Sequence, residues 1–137
     1  MALFYADASA LVRLVRDEPE SEALRAFLAD SDIISSELVL TEVPRAIRRA
    51  AADDARLALD FLIDRAGETI DSVALLPLDR ALLLAAGALA EPALRALDAI
   101  HVATAVDLGP LDGFVTYDER QAAAARLAGL RTISPGG

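Results

Sequence analysis

The sequence predicts one α/β domain built on a parallel sheet of about five strands. Short apolar runs alternate with longer helical segments through residues 1–137, and a helix separates almost every pair of predicted strands. Strands joined by helices need crossover connections, which produce parallel sheets. A chain of this length, with no internal repeat, low-complexity tract or linker, fits a single domain with its own hydrophobic core.

The first half of the chain contains three predicted strands and four predicted helices. Pro44 lies inside one helix, where proline costs about 3 kcal/mol, so we expect a kink or a restart there. Gly67 is expected to end the next helix. The predicted order is strand Leu3–Ala6, helices Ala8–Val15 and Glu20–Ala29, strand Ile33–Ser35, helices Leu38–Ala51 and Asp53 to about Ala66, and strand Ser72–Leu76.

The second half continues the alternation between marked breaks. Asp79 is expected to cap a helix, Glu91-Pro92 interrupts the chain, and Gly109-Pro110 ends a further helix. The predicted order is a helix from Asp79 to about Leu89, helix Ala96–Leu108, strand Gly113–Thr116, helix Glu119–Ala128 and strand Arg131–Ile133.

Composition excludes several classes of chemistry. Cysteine is absent, which removes disulfides, thiolate metal sites and thiol catalysis. All 13 basic residues are arginine, so no lysine can act as a Schiff base, a general base or a P-loop lysine. The net charge of −9 argues against a protein that coats nucleic acid with a basic face, although an enzyme that cuts nucleic acid stays compatible with it.

Nothing in the sequence predicts a membrane segment. The longest apolar run, Ala81–Ala90, has ten residues, whereas a membrane-spanning helix needs about 20. The N-terminus has no basic region, and Asp7 interrupts its apolar stretch, so it does not read as a signal peptide. We therefore expect a cytoplasmic protein.

Four carboxylates lie where an α/β sheet binds its ligands. Asp7 and Asp118 follow predicted strands, and Glu42 and Asp98 lie near helix starts among apolar neighbours. Ligands of open parallel sheets bind beyond the carboxyl ends of the strands. If the four acids meet, their repulsion raises their pKa values unless a cation neutralises them. Oxygen ligands without cysteine, and with a single histidine in the chain, favour Mg²⁺ or Mn²⁺ over zinc.

Each acid also has a purely structural interpretation. Asp7 can cap the helix that follows it, and Asp98 can interact with a helix dipole. Asp118 with Gln121 fits a capping box, and Glu42 can form a surface ion pair with Arg45. These alternatives stay open for each residue taken alone.

Taken in order, the motifs around these acids resemble those of PIN-domain ribonucleases, and among them the VapC toxins of bacterial toxin–antitoxin pairs. The resemblance covers essentially the whole chain. It rests on Asp7-Ala8-Ser9-Ala10-Leu11, Thr41-Glu42-Val43, Leu97-Asp98-Ala99-Ile100-His101-Val102-Ala103-Thr104-Ala105 and Thr116-Tyr117-Asp118.

The resemblance implies a sheet of order 3-2-1-4-5 and catalytic, metal-ligand roles for the four acids. It makes Ser9 and Thr116 candidate hydroxyl helpers. The implied activity is Mg²⁺-dependent endoribonucleolytic hydrolysis that leaves 5′-phosphate ends, with Mn²⁺ as a possible substitute. The implied partners are RNA, a VapB-like antitoxin that neutralises the enzyme, and a second copy in a homodimer or a toxin–antitoxin hetero-oligomer.

Arginines near the acids are candidate contacts to RNA phosphates. Arg45 and Arg49 share a helical face with Glu42, and Arg13 and Arg16 follow Asp7; simple solvation is the alternative for each. His101 lies three residues after Asp98, where it could be a general base or a hydrogen-bonded neighbour of the site.

Four other kinds of protein are compatible with parts of this pattern. Haloacid-dehalogenase-like phosphatases and receiver domains also have a strand-end aspartate, but they use a lysine that this chain lacks. A catalytically silent PIN-like binding module and a PIN-domain RNA-processing nuclease that is not a toxin stay as alternatives.

Overall fold

A computed structural model describes the whole chain, Met1–Gly137. It contains five strands and seven α-helices. In chain order these are β1 (Leu3–Ala6), α1 (Ala8–Val15), α2 (Ser21–Leu28), β2 (Asp32–Ser36), α3 (Val39–Asp53), α4 (Leu59–Asp71), β3 (Ala74–Leu76), α5 (Arg80–Gly87), α6 (Ala96–Leu108), β4 (Gly113–Val115), α7 (Glu119–Leu127) and β5 (Thr132–Ile133).

The five strands form one sheet of order β3-β2-β1-β4-β5, and all four pairings are parallel. β1 is central, with Tyr5 in register with Ile34 on one side and Phe114 on the other. The predicted fold class and strand order are therefore confirmed. The parallel arrangement brings the carboxyl ends of all five strands to one edge of the sheet.

Side-chain alternation along β1 divides the core into two layers. Phe4 and Ala6 face a large apolar cluster formed with α1 to α4, while Tyr5 faces a second cluster formed with α6 and α7. Tyr5 stacks on Phe114 in that second layer, with ring centroids 5.1 Å apart. The sheet is thus covered by helices on both faces, as expected for parallel strands.

The predicted helix from Asp53 to Ala66 is wrong at both ends. Asp53 is the last residue of α3, and Asp54 is extended and binds the Arg56 side chain in the loop that follows. α4 begins at Leu59 and passes through Gly67 to Asp71. The buried stripe of Leu62, Ala66 and Ile70, spaced four residues apart, holds the helix against α1 and α3 beyond the glycine.

α3 runs through Pro44 as one helix, so the expected restart is absent. Buried Val39, Val43 and Ile47 lie on one face of α3 and pack into the first core layer, which outweighs the missing proline N–H. Other predicted boundaries that differ shift by one or two residues. Gly109 ends α6 as expected, with a φ of +85°.

The apolar run Ala81–Ala90 forms most of α5 and the turn after it. No helix in the structure is both long enough and apolar enough to cross a bilayer.

Candidate active site

Four helix N-termini meet the carboxyl edge of the sheet, and each carries one of the predicted acids. Asp7 and Asp118 are the N-cap residues of α1 and α7, and Glu42 and Asp98 lie in the first turns of α3 and α6. The positive ends of the helix dipoles therefore surround a group of carboxylates. This is the edge where ligands bind in open parallel sheets.

Asp7 is 1% exposed and is held from both sides. Its Oδ1 accepts hydrogen bonds from the Ser9 hydroxyl at 2.6 Å and from the Ala10 amide at 3.0 Å, and its Oδ2 accepts one from the Thr116 hydroxyl. Burial raises the pKa of Asp7, while His101 and these donors oppose the rise. Asp7 therefore caps α1, and its hydroxyl partners Ser9 and Thr116 hold it at the carboxyl edge of the sheet.

Ser9, in the first turn of α1, and Thr116, which follows β4, link these two elements at this edge. Thr116 Oγ1 accepts a bond from the Asp118 amide at 3.1 Å, and Ser9 Oγ accepts one from the Tyr117 amide at 2.9 Å. The two hydroxyl oxygens lie 3.4 Å apart. The predicted hydroxyl helpers thus lie beside Asp7 and fix its orientation relative to the start of α7.

Glu42 contacts His101, and no ion pair with Arg45 forms. Glu42 Oε1 is 2.6 Å from His101 Nε2, and the Tyr5 hydroxyl is 2.7 Å from His101 Nδ1. The histidine is fully buried, whereas the Glu42 side chain stays 17% exposed. Glu42 is therefore tied to the core on one side and open to the cleft on the other.

Asp98 is half-buried and lies among the other acids. Burial is the largest cause of its raised pKa, followed by the negative charges of Asp118, Asp7 and Glu42, and His101 opposes the rise. The negative charges of the other three acids therefore act on Asp98 across the site.

The capping box predicted for Asp118 forms only in part. The Asp118 carboxylate caps α7 by accepting the Gln121 amide at 2.9 Å. The Gln121 side chain, however, donates to the Asp98 carbonyl at 3.1 Å and so connects α7 to α6. It makes no hydrogen bond to the Asp118 backbone amide, which a complete capping box requires.

The donor set suits a hard divalent cation, since it consists of carboxylate and hydroxyl oxygens whose mutual repulsion a cation relieves. The carboxylates do not converge on one position, and no group of three or more His, Asp or Glu side chains is arranged to hold an ion. Their oxygens are held instead by His101, by hydroxyls and by helix amides.

Two of the predicted arginine contacts, Arg13 and Arg16, line neither of the two clefts that contain Asp98. Arg13 binds Glu20 at 3.2 Å and the Ser9 carbonyl at 3.1 Å, and it stacks on the Tyr117 ring. Arg16 is the C-cap of α1, at the opposite end of the helix from Asp7. Arg13 therefore has fewer free donors for RNA than its sequence position suggests.

The other two arginines line a cleft of about 550 Å³ that opens between α3 and α6. Arg45 and Arg49 contribute to its wall with Glu42 and Asp98. Arg95 is a further member that sequence reasoning missed, and it also lines a neighbouring cleft of about 350 Å³ with Asp98, Asp118 and Arg120. Arg95 is the N-cap residue of α6, three residues before Asp98, and that position was the available signal.

Comparison with known proteins identifies the family. The PIN domain profile matches residues 4–127. The chain is 41% identical to Ribonuclease VapC46 of Mycobacterium tuberculosis H37Rv over 140 residues, covering 98% of this chain and 99% of that protein. Ribonuclease VapC35 and Ribonuclease VapC47 of the same species are 38% and 34% identical, each over 98% of both chains.

The crystal structure of PAE2754 from Pyrobaculum aerophilum has the same fold, with a TM-score of 0.69 at 21% identity, covering 96% of this chain and 83% of that one. The match to the PIN domain family, the similarity to nearly full-length relatives and the strand order of the sheet all indicate the same family. The chain therefore belongs to the PIN-domain family, among its VapC-like members.

Proposed function

We propose that this protein is a divalent-metal-dependent endoribonuclease toxin that hydrolyses RNA phosphodiester bonds and is neutralised by a VapB-like antitoxin. The observation that carries the proposal is the placement of the four acids at the N-termini of α1, α3, α6 and α7, along the carboxyl edge of the parallel sheet. The similarity to proteins named ribonucleases, over nearly the whole chain, supports the class of reaction.

In this mechanism the four acids would hold Mg²⁺, for which Mn²⁺ could substitute. A divalent cation held there would supply the charge that activates water and stabilises the leaving 3′-oxygen. Asp7 is oriented by Ser9 and Thr116, and Asp118 is held by the first turn of α7. Asp98 lines both clefts, so it is open to an RNA that occupies either of them.

RNA is proposed to lie along the two clefts that meet at Asp98. Arg45 and Arg49 are exposed on one side of it and Arg120 on the other, with Arg95 between them. Guanidinium groups in this arrangement can contact successive phosphates without reading the bases. Arg13 and Arg16 stay weaker candidates, because Arg13 is already bound to Glu20.

The antitoxin is proposed to be an amphipathic segment with basic residues, since the chain carries a net charge of −9. Candidate contacts are α2 and the part of α3 around Pro44, where Leu40 is 53% exposed. Exposed leucines on α5, Leu83 and Leu84, provide apolar surface for a second copy.

A catalytically silent PIN-like binding module is the second candidate. It is favoured by one observation, namely that no three potential ligands are arranged as a complete metal site. A nuclease that processes RNA without acting as a toxin would have the same site chemistry and differs only in its biological partner.

The test compares wild type with Asp98→Asn in Mg²⁺-dependent cleavage of structured and single-stranded RNA. We expect the variant to lose cleavage by at least about 10³-fold, because the substitution removes charge from the centre of the site. The control is Asp107→Asn, an exposed acid on the same helix, which should cut at the wild-type rate.

Cleavage that persists in Asp98→Asn, or that resists EDTA, would reject the assignment of the four acids. Mg²⁺ binding without cleavage of any RNA would favour the binding module. Growth arrest on expression, relieved by the product of an adjacent small gene, distinguishes a toxin from a processing nuclease.

A further inference from the structure

A buried line of polar side chains runs from the centre of the sheet to the candidate active site. The Tyr5 hydroxyl lies 2.7 Å from His101 Nδ1, and His101 Nε2 lies 2.6 Å from Glu42 Oε1. Tyr5 and His101 are both completely buried. His101 is the only histidine in the chain, so this is the one place where an imidazole reaches the site.

Both ring nitrogens of His101 are used, and this determines how the ring meets Glu42. With the Glu42 carboxyl ionised, two proton arrangements fit the contacts: Tyr5 donates to Nδ1 of a neutral ring, or a doubly protonated ring donates to Tyr5. Burial strongly raises the pKa of Tyr5, so its phenol stays protonated. In both arrangements Nε2 carries a proton and donates it to the Glu42 carboxylate.

The packing of Tyr5 makes this orientation rigid. Its ring stacks on Phe114 with an interplanar angle of 10°, and it meets the imidazole edge-on with centroids 5.8 Å apart. The histidine therefore cannot rotate without breaking contacts in the core. Glu42, by contrast, extends from the first turn of α3 toward the cleft and has no other side-chain hydrogen bond.

We infer that His101 is a positioning residue for RNA cleavage, which holds the Glu42 carboxylate in place through Nε2–H and is itself held by Tyr5. The inference rests on the proposed function, because it assigns Glu42 to the metal-binding acids. One Glu42 oxygen is bound to His101, and the other stays available for a cation. Partners that orient metal ligands in this way typically change metal affinity 10–100-fold when removed.

The experiment measures Mn²⁺ binding by calorimetry on the RNA-free protein, together with kcat and KM for RNA cleavage. We expect His101→Ala to weaken Mn²⁺ binding about 10–100-fold and to lower kcat, with little change in KM for RNA. His101→Gln, which keeps an N–H donor of similar reach, should recover most of both losses. Tyr5→Phe should show a smaller loss in the same direction.

Val102→Ala is the matched control, because Val102 is the neighbouring buried residue on α6 and packs in the cluster with Tyr5 and Phe114. It should lower the melting temperature while Mn²⁺ affinity stays at the wild-type value. Nitrogen NMR of the wild-type imidazole tests the geometry directly, and it should show Nε2 protonated in the metal-free protein.

Three results would overturn the inference alone: an unprotonated Nε2, wild-type Mn²⁺ affinity in His101→Ala, or no recovery in His101→Gln. If the wild type itself binds no Mn²⁺, the metal site and this inference fail together. If His101→Ala does not fold, the inference is tested by the wild-type NMR signal and by the comparison of His101→Gln with wild type.

Discussion

Asp98 is the residue at which the requirements of the site and of folding conflict most directly. Its pKa is raised by partial burial and by the charges of Asp118, Asp7 and Glu42. The folded protein therefore binds a proton at Asp98 more tightly than the unfolded chain does. This contribution to stability is present below about pH 4, the pKa of an unfolded aspartate, and is lost as the pH rises through the folded-state value.

Replacing Asp98 with Asn should consequently stabilise the metal-free protein at neutral pH. In EDTA we expect the melting temperature of Asp98→Asn to exceed that of wild type at pH 7, with the difference shrinking toward pH 3.5. Thermal unfolding across this range measures the effect, with the exposed-acid variant Asp107→Asn as control. Adding Mn²⁺ should raise the melting temperature of the wild type but not of Asp98→Asn. Equal melting temperatures of the two proteins at every pH in EDTA would contradict a destabilising charge at Asp98.

At the scale of the element, helix N-termini serve two different purposes in this molecule. Asp79 caps α5 by accepting a hydrogen bond from the Leu82 amide at 2.8 Å. It lines neither of the two clefts that contain Asp98. Asp118 caps α7 in the same manner but also lines the site beside Asp98. The local geometry is the same, so only the surroundings separate a structural cap from a proposed ligand.

Paired substitutions separate the two purposes. Asp79→Ala should reduce the free energy of unfolding by about 1 kcal/mol and leave RNA cleavage intact, because only a cap is lost. Asp118→Asn keeps a good capping side chain, so stability to urea should change by only a few tenths of a kcal/mol while cleavage is lost. Asp79→Asn is the control for both measurements. Cleavage retained in Asp118→Asn would reduce Asp118 to a cap.

For the whole molecule, the problem is how a chain with a net charge of −9 holds a polyanion. Three arginines, Arg45, Arg49 and Arg95, line the α3–α6 cleft together with Glu42 and Asp98. Their positive charge acts locally, because at physiological salt the charges on distant surfaces are screened over about 8 Å. RNA binding should therefore depend on these three side chains more than on the total charge.

The triple variant Arg45→Ala, Arg49→Ala, Arg95→Ala should bind single-stranded RNA more weakly and with a shallower salt dependence. Each lost phosphate contact lowers the slope of log K against log salt by about 0.7, so three contacts predict a change near 2. Binding is measured by fluorescence anisotropy of labelled RNA. All proteins in the titration also carry Asp98→Asn, so that the RNA is not cleaved. Arg48→Ala, an exposed arginine on the same helix outside the cleft, is the matched control, and an unchanged slope in the triple variant would exclude phosphate contact.

Local signals in the sequence were sufficient for the order of the elements and for the position of the four acids at their ends, whereas the strand order came from the family resemblance. Strand Leu3–Ala6, helix Ala8–Val15 and helix Ala96–Leu108 have the predicted bounds, because apolar periodicity, Asp caps and Gly109 act within a few residues. Gly67 misled the prediction, since packing of α4 against its neighbours outweighs the weak helix propensity of one glycine.

By itself, then, the sequence determined the order of the elements and the four acids at their ends, because both depend on short-range patterns. Only the tertiary structure decided that Glu42 pairs with His101, 59 residues away, in preference to Arg45 within its own helix. It also decided that Arg95 joins Arg45 and Arg49 in one cleft. These contacts depend on how α3 and α6 pack across the sheet edge, and no short window of sequence contains that information.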